Sequence, residues 1–265
     1  SPIPKLLPTM GFSAQEVVQL RSLFPALSRR DGDRGAVFLD GPAGTQVSQQ
    51  VIDAISDYLT RCNANEDGVF ATSIESDQAL DSAHATVATF LGADDPNCVT
   101  FGPNMTTLTL SLARCLSKSW KPGDEILLSG LEHDANYTPW RQAAEDAGAT
   151  VRVVEVNAEN CTLKQDDFRS KLNEKTKFVA VGCASNAAGT VNPVASMCAA
   201  AKHFGALTFL DAVHYAPHDV IDVKAFGCDF LACSAYKFFG PHVGIMWGRR
   251  ELLEGLQPYK LRPSP

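Results

Sequence analysis

The stretch KFVAVGCASNAAGTVNPVASMCAAAKHFGALTFLD, residues 177–211, sets the fold class. It opens on a continuously apolar run, FVAVGC, and closes on another, ALTFL, ahead of Asp211. A strand with one wet face alternates apolar and polar residues. A strand without alternation is covered on both faces, the habit of parallel sheets. Between the two runs, PVASMCAAAKHFG reads as a helix. Strand, helix and strand in that order form a βαβ unit.

The alternation extends in both directions. Upstream, NCVTFG, DEILLSG and TVRVVEV read as strands, and TTLTLSLARCL, YTPWRQAAEDAG and DDFRSKLN as helices between or after them. Downstream, DFLACS and VGIMWG read as strands, and a helix starts at 250. Towards the N-terminus, SAQEVVQLRSLF is a helix capped by Ser13, and AVFLD (36–40) a short strand. Two more helices follow, over 48–62 and 73–92. The expected fold is α/β, a three-layer α/β/α sandwich with a mostly parallel sheet, over 35–250. Residues 1–34 form an N-terminal helical segment. Residues 251–265 start a Pro-rich connection, with a C-terminal small domain expected to be missing.

Composition narrows the function. The 265 residues are 45% hydrophobic and 20% charged, with a net charge of −7. No basic cluster suggests nucleic acid, no apolar run suggests a membrane span, and the N-terminus lacks a signal-peptide core. Eight cysteines at 62, 98, 115, 161, 183, 198, 228 and 233 contain no CxxC pair. They read as reduced core thiols of a cytoplasmic protein, with no metal site. His214 and His218 have HxxxH spacing, but Pro217 argues against a helix there.

Chemistry gathers just after the strands, where open α/β sheets bind ligands. Asn104, Met105 and Thr106 enter a helix after NCVTFG and suit a phosphate or a plain N-cap. His133 follows DEILLSG and can stack on a planar ring or cap a turn. Asn186 lies in the loop after FVAVGC, able to donate to an oxygen. Asp211 ends ALTFLD, either as a cap or as partner to a buried cation. Lys237, inside the apolar FLACSAYKFFG, is either a snorkelling cation or an amine made nucleophilic by burial. Together they fit pyridoxal 5′-phosphate (PLP), which needs a lysine on its aldehyde and an acid on its ring nitrogen.

The ordered set EHDAN, SNAAGT, DAVH and SAYK resembles the class-V aminotransferase group of fold-type-I PLP enzymes, nearest to cysteine desulfurase-like proteins. The resemblance runs from FLDGPAGT (38–45) to the end of the chain. It implies Lys237 as the Schiff-base lysine, Asp211 as partner of the pyridine nitrogen and His133 as the ring-stacking residue. It places Asn104, Met105, Thr106 and Ser234 around the phosphate, and His214 near the phenolic oxygen. Asn186 falls on the substrate side. Tyr236 stands among the cofactor contacts, where desulfurases usually have a histidine. The implied activity is sulfur removal from cysteine to give alanine. The alternatives are aminotransfer, C–S lysis or epimerisation, and last a non-catalytic relative of the fold.

The implied partners are an amino-acid substrate, a second copy in a homodimer and a sulfur acceptor protein. None of the eight cysteines is expected to be the sulfur nucleophile. Cys62 alone sits in a polar, loop-like stretch, and the connection carrying Cys161 is expected to leave its strand away from the lysine.

Overall fold

The structure, a computed structural model, describes residues 11–260. Residues 1–10 of the expected N-terminal segment and 261–265 of the expected connection lie outside them. Along the chain run α1 (Ala14–Ser22), a hairpin of β1 (Arg30–Asp31) and β2 (Arg34–Gly35), α2 (Gln49–Arg61) and α3 (Ala71–Phe90). Then follow β3 (Val99–Gly102), α4 (Met105–Leu116), β4 (Glu125–Ser129), α5 (Thr138–Asp146) and β5 (Thr150–Val154). A second hairpin, β6 (Val156–Asn157) and β7 (Thr162–Leu163), leads to α6 (Gln165–Lys171), β8 (Thr176–Gly182), α7 (Val194–His203) and β9 (Leu207–Asp211). The described chain ends with α8 (Val223–Phe226), β10 (Phe230–Ser234), β11 (Gly244–Gly248) and α9 (Arg250–Gly255).

Seven strands form one sheet in the order β3-β11-β10-β9-β8-β4-β5. β5, β4, β8, β9 and β10 pair in parallel, and β11 runs antiparallel to both its neighbours. The unalternating strands are explained by their two covers. Leu127, Val179, Val181, Leu210 and Leu231 pack on one face with α7 residues Met197, Cys198 and Ala201. Ile126, Leu128, Phe178, Ala180 and Phe209 pack on the other with α4 and α5. There Trp140 is fully buried, its ring 4.4 Å from that of Phe178 and 5.0 Å from that of Phe209. Burying such a side chain contributes about 3–5 kcal/mol relative to alanine.

Residues 36–40, expected as a strand, are irregular, with Val37 77% and Leu39 89% exposed. Their composition favours a strand, but a strand needs a ladder of partners, and among the described residues they join no sheet. Ser13 caps α1 in a reciprocal capping box with Glu16. α2 has no buried residue, and its Ile52, Ile55 and Leu59 are exposed.

Candidate active site

The parallel strands end at one edge of the sheet, and register places the site residues side by side there. Gly182 of β8 pairs with Asp211 of β9, Asp211 with Ala232 of β10, and Ser234 with Gly244 of β11. A cavity of about 40 Å³ at this edge is lined by Asn104, Met105, Thr106, His133, Asp211, His214, Ser234, Tyr236 and Lys237. Every residue expected to touch the cofactor is therefore in one cleft. Asn186 lines a neighbouring cavity of about 620 Å³ that shares Lys237 and His214 with the first.

Lys237 sits on a short 3-10 turn just past β10 and is 6% exposed. Its ammonium donates to the carbonyl of Pro42 and lies 4.8 Å from the centre of the Tyr236 ring. Burial pushes its pKa down, against the opposing pull of Asp40 and Asp211. The strap that brings Pro42 there is held by Thr45. The Thr45 N–H and hydroxyl both donate to the Tyr236 carbonyl at 2.9 Å, and the hydroxyl accepts from Phe239 N–H at 2.7 Å. Phe239 adopts φ +72°, a strained conformation for an aromatic residue, which Thr45 helps to hold.

Asp211 is buried, and its Oδ1 accepts one hydrogen bond, from Val213 N–H at 2.9 Å. Burial lifts its pKa to about 6; the Val213 bond, His133 and Lys237 oppose the rise. A second cation near this carboxyl would be well received. His133 is exposed and caps the turn after β4, its Nδ1 accepting from Ala135 N–H at 3.1 Å. The cap and the open ring face are therefore compatible. His214 is half-buried, and burial, with Lys237, His133 and His218 nearby, pushes its pKa down to about 4.

Around α4, Asn104 is the N-cap, accepting from Thr107 N–H at 2.8 Å, so its side chain serves the helix. Met105 N–H donates to the Ser234 hydroxyl at 3.0 Å. Thr106 N–H has no protein partner among the described residues, and the Ser234 hydroxyl proton remains free to donate. Free donors at the start of a helix suit an anion such as a phosphate.

Sequence reading passed over three features of the site. They are the Pro42–Thr45 strap, the stacking of Tyr236 on His242 at 4.4 Å, and Glu132. Only Glu132 carried a local signal, a carboxylate directly after an apolar strand and next to His133. Cys62, though in polar sequence, is a buried thiol at the end of α2, in line with the core reading. One cysteine expectation is corrected. Cys161 is exposed, in the turn of the β6–β7 hairpin, and β5, which leads into that hairpin, ends at the same sheet edge as the site because it runs parallel to β4. The Cys161 carbonyl accepts from the Thr190 hydroxyl at 2.7 Å, in the loop that carries Asn186. Among the described residues no group of His, Cys, Asp or Glu is placed to hold a metal, and no helix is long and apolar enough to cross a membrane.

A family model, aminotransferase class-V, matches residues 37–262. The chain belongs to the class-V aminotransferase family. It is 33% identical over 243 residues to a probable cysteine desulfurase of Halalkalibacterium halodurans, covering 91% of this chain and 60% of the relative. It is 32% identical to a cysteine desulfurase of Dickeya dadantii, covering 91% and 59%. The solved apo cysteine desulfurase of Thermococcus onnurineus NA1 superposes with a TM-score of 0.85 at 27% identity, over 92% of this chain and 60% of that one. The chain thus spans about 60% of the length of these relatives.

Proposed function

We propose that this chain carries the pyridoxal-phosphate site of an enzyme that removes sulfur from cysteine and leaves alanine. The observation that supports it is the single cleft in which Lys237, Asp211, His133 and the Ser234–α4 cradle meet. When bound, the cofactor supplies an electron sink for bond breaking at the substrate's Cα. Lys237 attaches it through its amine, helped by a lowered pKa, and afterwards takes the Cα proton. Asp211, at the buried end, keeps a proton on the ring nitrogen. His133 covers the ring face, the Thr106 N–H and Ser234 hydroxyl hold the phosphate, and His214 faces the phenolic oxygen. Asn186, in the larger cavity, orients the amino-acid substrate.

The reading divides the chain into a helical segment (1–34), a cofactor-binding domain (35–250) and a connection (251–265). All seven strands of the large sheet fall inside the middle part, which supports that division. It includes a homodimer, supported by the uncovered stripe on α2, and a separate sulfur acceptor protein. It places the protein in the cytoplasm, in keeping with eight unpaired cysteines. Sulfur leaves through a thiol outside the buried set of Cys62, Cys98, Cys183, Cys198, Cys228 and Cys233. Burial pushes the Cys233 thiol up to about 12 and Cys198 to about 11, where thiolate is scarce.

The test is borohydride reduction of full-length protein supplied with pyridoxal phosphate, followed by peptide mapping and an assay of alanine from cysteine. A pyridoxyl group on Lys237 and alanine release are expected. Label on another lysine overturns the site; correct label without alanine overturns the reaction.

A further inference from the structure

Glu132, directly before His133, carries a carboxylate to which the proposed function gives no part. It lies between the end of β4 and His133, half-buried, with a carboxyl engaged on both oxygens. Oε1 accepts from Gly182 N–H at 2.9 Å and from the Ser129 hydroxyl. Oε2 accepts from Asn136 Nδ2 at 2.6 Å. Asn136 Oδ1 in turn accepts from the Trp140 indole at 2.9 Å, inside the core beneath α5. One side chain therefore joins the end of β4, the end of β8, the turn carrying His133 and the first turns of α5.

The lack of a side chain at Gly182 leaves room for this contact. A Cβ on Gly182 would stand 3.2 Å from Glu132 Oε2, a tight contact to which the carboxyl would have to give way by a few tenths of an ångström. Gly182 is also the register partner of Asp211, and the next residue, Cys183, donates its N–H to the Asp211 carbonyl at 2.8 Å. The carboxyl of Glu132 thus ties the turn that carries His133 to the end of β8, and β8 in turn is paired with the end of β9 at Asp211. These two residues must face one ring from different directions. Burial lifts the Glu132 pKa to about 7, with Asp211 adding to the rise, while its three hydrogen bonds favour the ionised form.

We propose that Glu132 is a positioning residue that fixes the His133 ring relative to Asp211 through its bonds to Ser129, Gly182 and Asn136. The proposal rests on the cofactor reading above for its purpose, and on the hydrogen-bond geometry for its content. Glutamate is required in place of glutamine because three donors converge on it. In Glu132→Gln the acceptor for Gly182 survives, but the new amide meets the Asn136 amide donor to donor. Asn136 cannot turn over without releasing Trp140.

The test compares wild type, Glu132→Gln and Glu132→Ala by two readouts. The first is the side-chain nitrogen NMR spectrum of His133 in cofactor-free protein, assigned with His133→Asn. The second is equilibrium binding of pyridoxal phosphate. Wild type is expected to show one tautomer, with Nδ1 unprotonated. Glu132→Ala is expected to average the tautomers and bind the cofactor about tenfold or more weakly, with Glu132→Gln between. A purely structural role would lower the melting temperature and leave both readouts alone. The proposal is overturned if both remain within about twofold of wild type in folded variants. If Glu132→Ala fails to fold, Glu132→Gln and Ser129→Ala, which removes one bond, decide it by the same criteria. If wild type takes up no pyridoxal phosphate, the cofactor reading fails by itself, and the His133 spectrum still decides the role of Glu132.

Discussion

Asp211 shows how much one buried carboxyl changes the behaviour of the protein around it. Its ordinary pKa is 3.8, and burial carries it to about 6 in the folded state. Between those values the unfolded chain releases its proton first, so the native state loses relative stability as pH rises. The whole penalty is present above about pH 6. His133 and Lys237 are the charged groups that oppose it. Between pH 5 and 7 this residue alone should cost about 1 kcal/mol of stability, or 2–4 °C in melting temperature for a chain of this size. Asp211→Asn should flatten the melting profile of cofactor-free protein by that amount across the same window. An unchanged slope would mean that Asp211 is already ionised without a ligand. Pyridoxal phosphate, which offers a ring nitrogen to hold the charge, should reduce the slope as the substitution does.

At the scale of elements, the site depends on how closely α4 approaches the sheet. Gly244 starts β11 opposite Ser234 and Gly102, and a Cβ on it would lie 2.8 Å from the Asn104 Cα. That neighbour is backbone at the N-cap of α4, so it cannot swing aside as a flexible side chain can. Gly244→Ala should push the start of α4 away from Ser234 and break the Met105 N–H bond to its hydroxyl. The expected cost is about 1–3 kcal/mol, measured by urea denaturation, with weaker retention of pyridoxal phosphate. Near-native stability and retention would show that the helix can shift without consequence. The same economy appears at Gly182, where the missing Cβ makes room for the Glu132 carboxyl instead of for backbone.

Over the whole molecule, the two sheet faces are well covered, yet the N-terminal helices are not. α1 and α2 bury no residue, and Ile52, Ile55 and Leu59 form one exposed stripe along α2, at helical spacing. An apolar stripe on an amphipathic helix needs a cover, and the homodimer reading supplies a second copy. Sedimentation of full-length protein at micromolar concentration should show a dimer. Paired Ile55→Glu and Leu59→Glu changes should weaken association at least about tenfold without lowering the melting temperature of the isolated chain. A monomer in wild type would remove the dimer from the proposed function.

What the sequence by itself determined is the layered α/β plan and the residues at its carboxyl edge. FVAVGC and ALTFL announce a two-sided sheet because burial on both faces removes alternation, a property written in consecutive residues. Asp211, His133, Ser234 and Lys237 were legible for a related reason. Each ends a strand or lies in the turn just after one, and parallel pairing carries those strand ends to the same edge. Only the tertiary structure decided what depends on residues far apart along the chain. AVFLD has the composition of a strand, but among the described residues it joins no sheet. Cys62 sits in polar sequence and is buried, while Cys161 is exposed near the loop of Asn186. Pro42 meets Lys237 across 195 positions, and Glu132 meets Gly182 across 50. Periodicity reports how a segment meets its surroundings. Which atoms those surroundings contain is settled by packing, where backbone approach and the pairing of buried polar groups must be satisfied together.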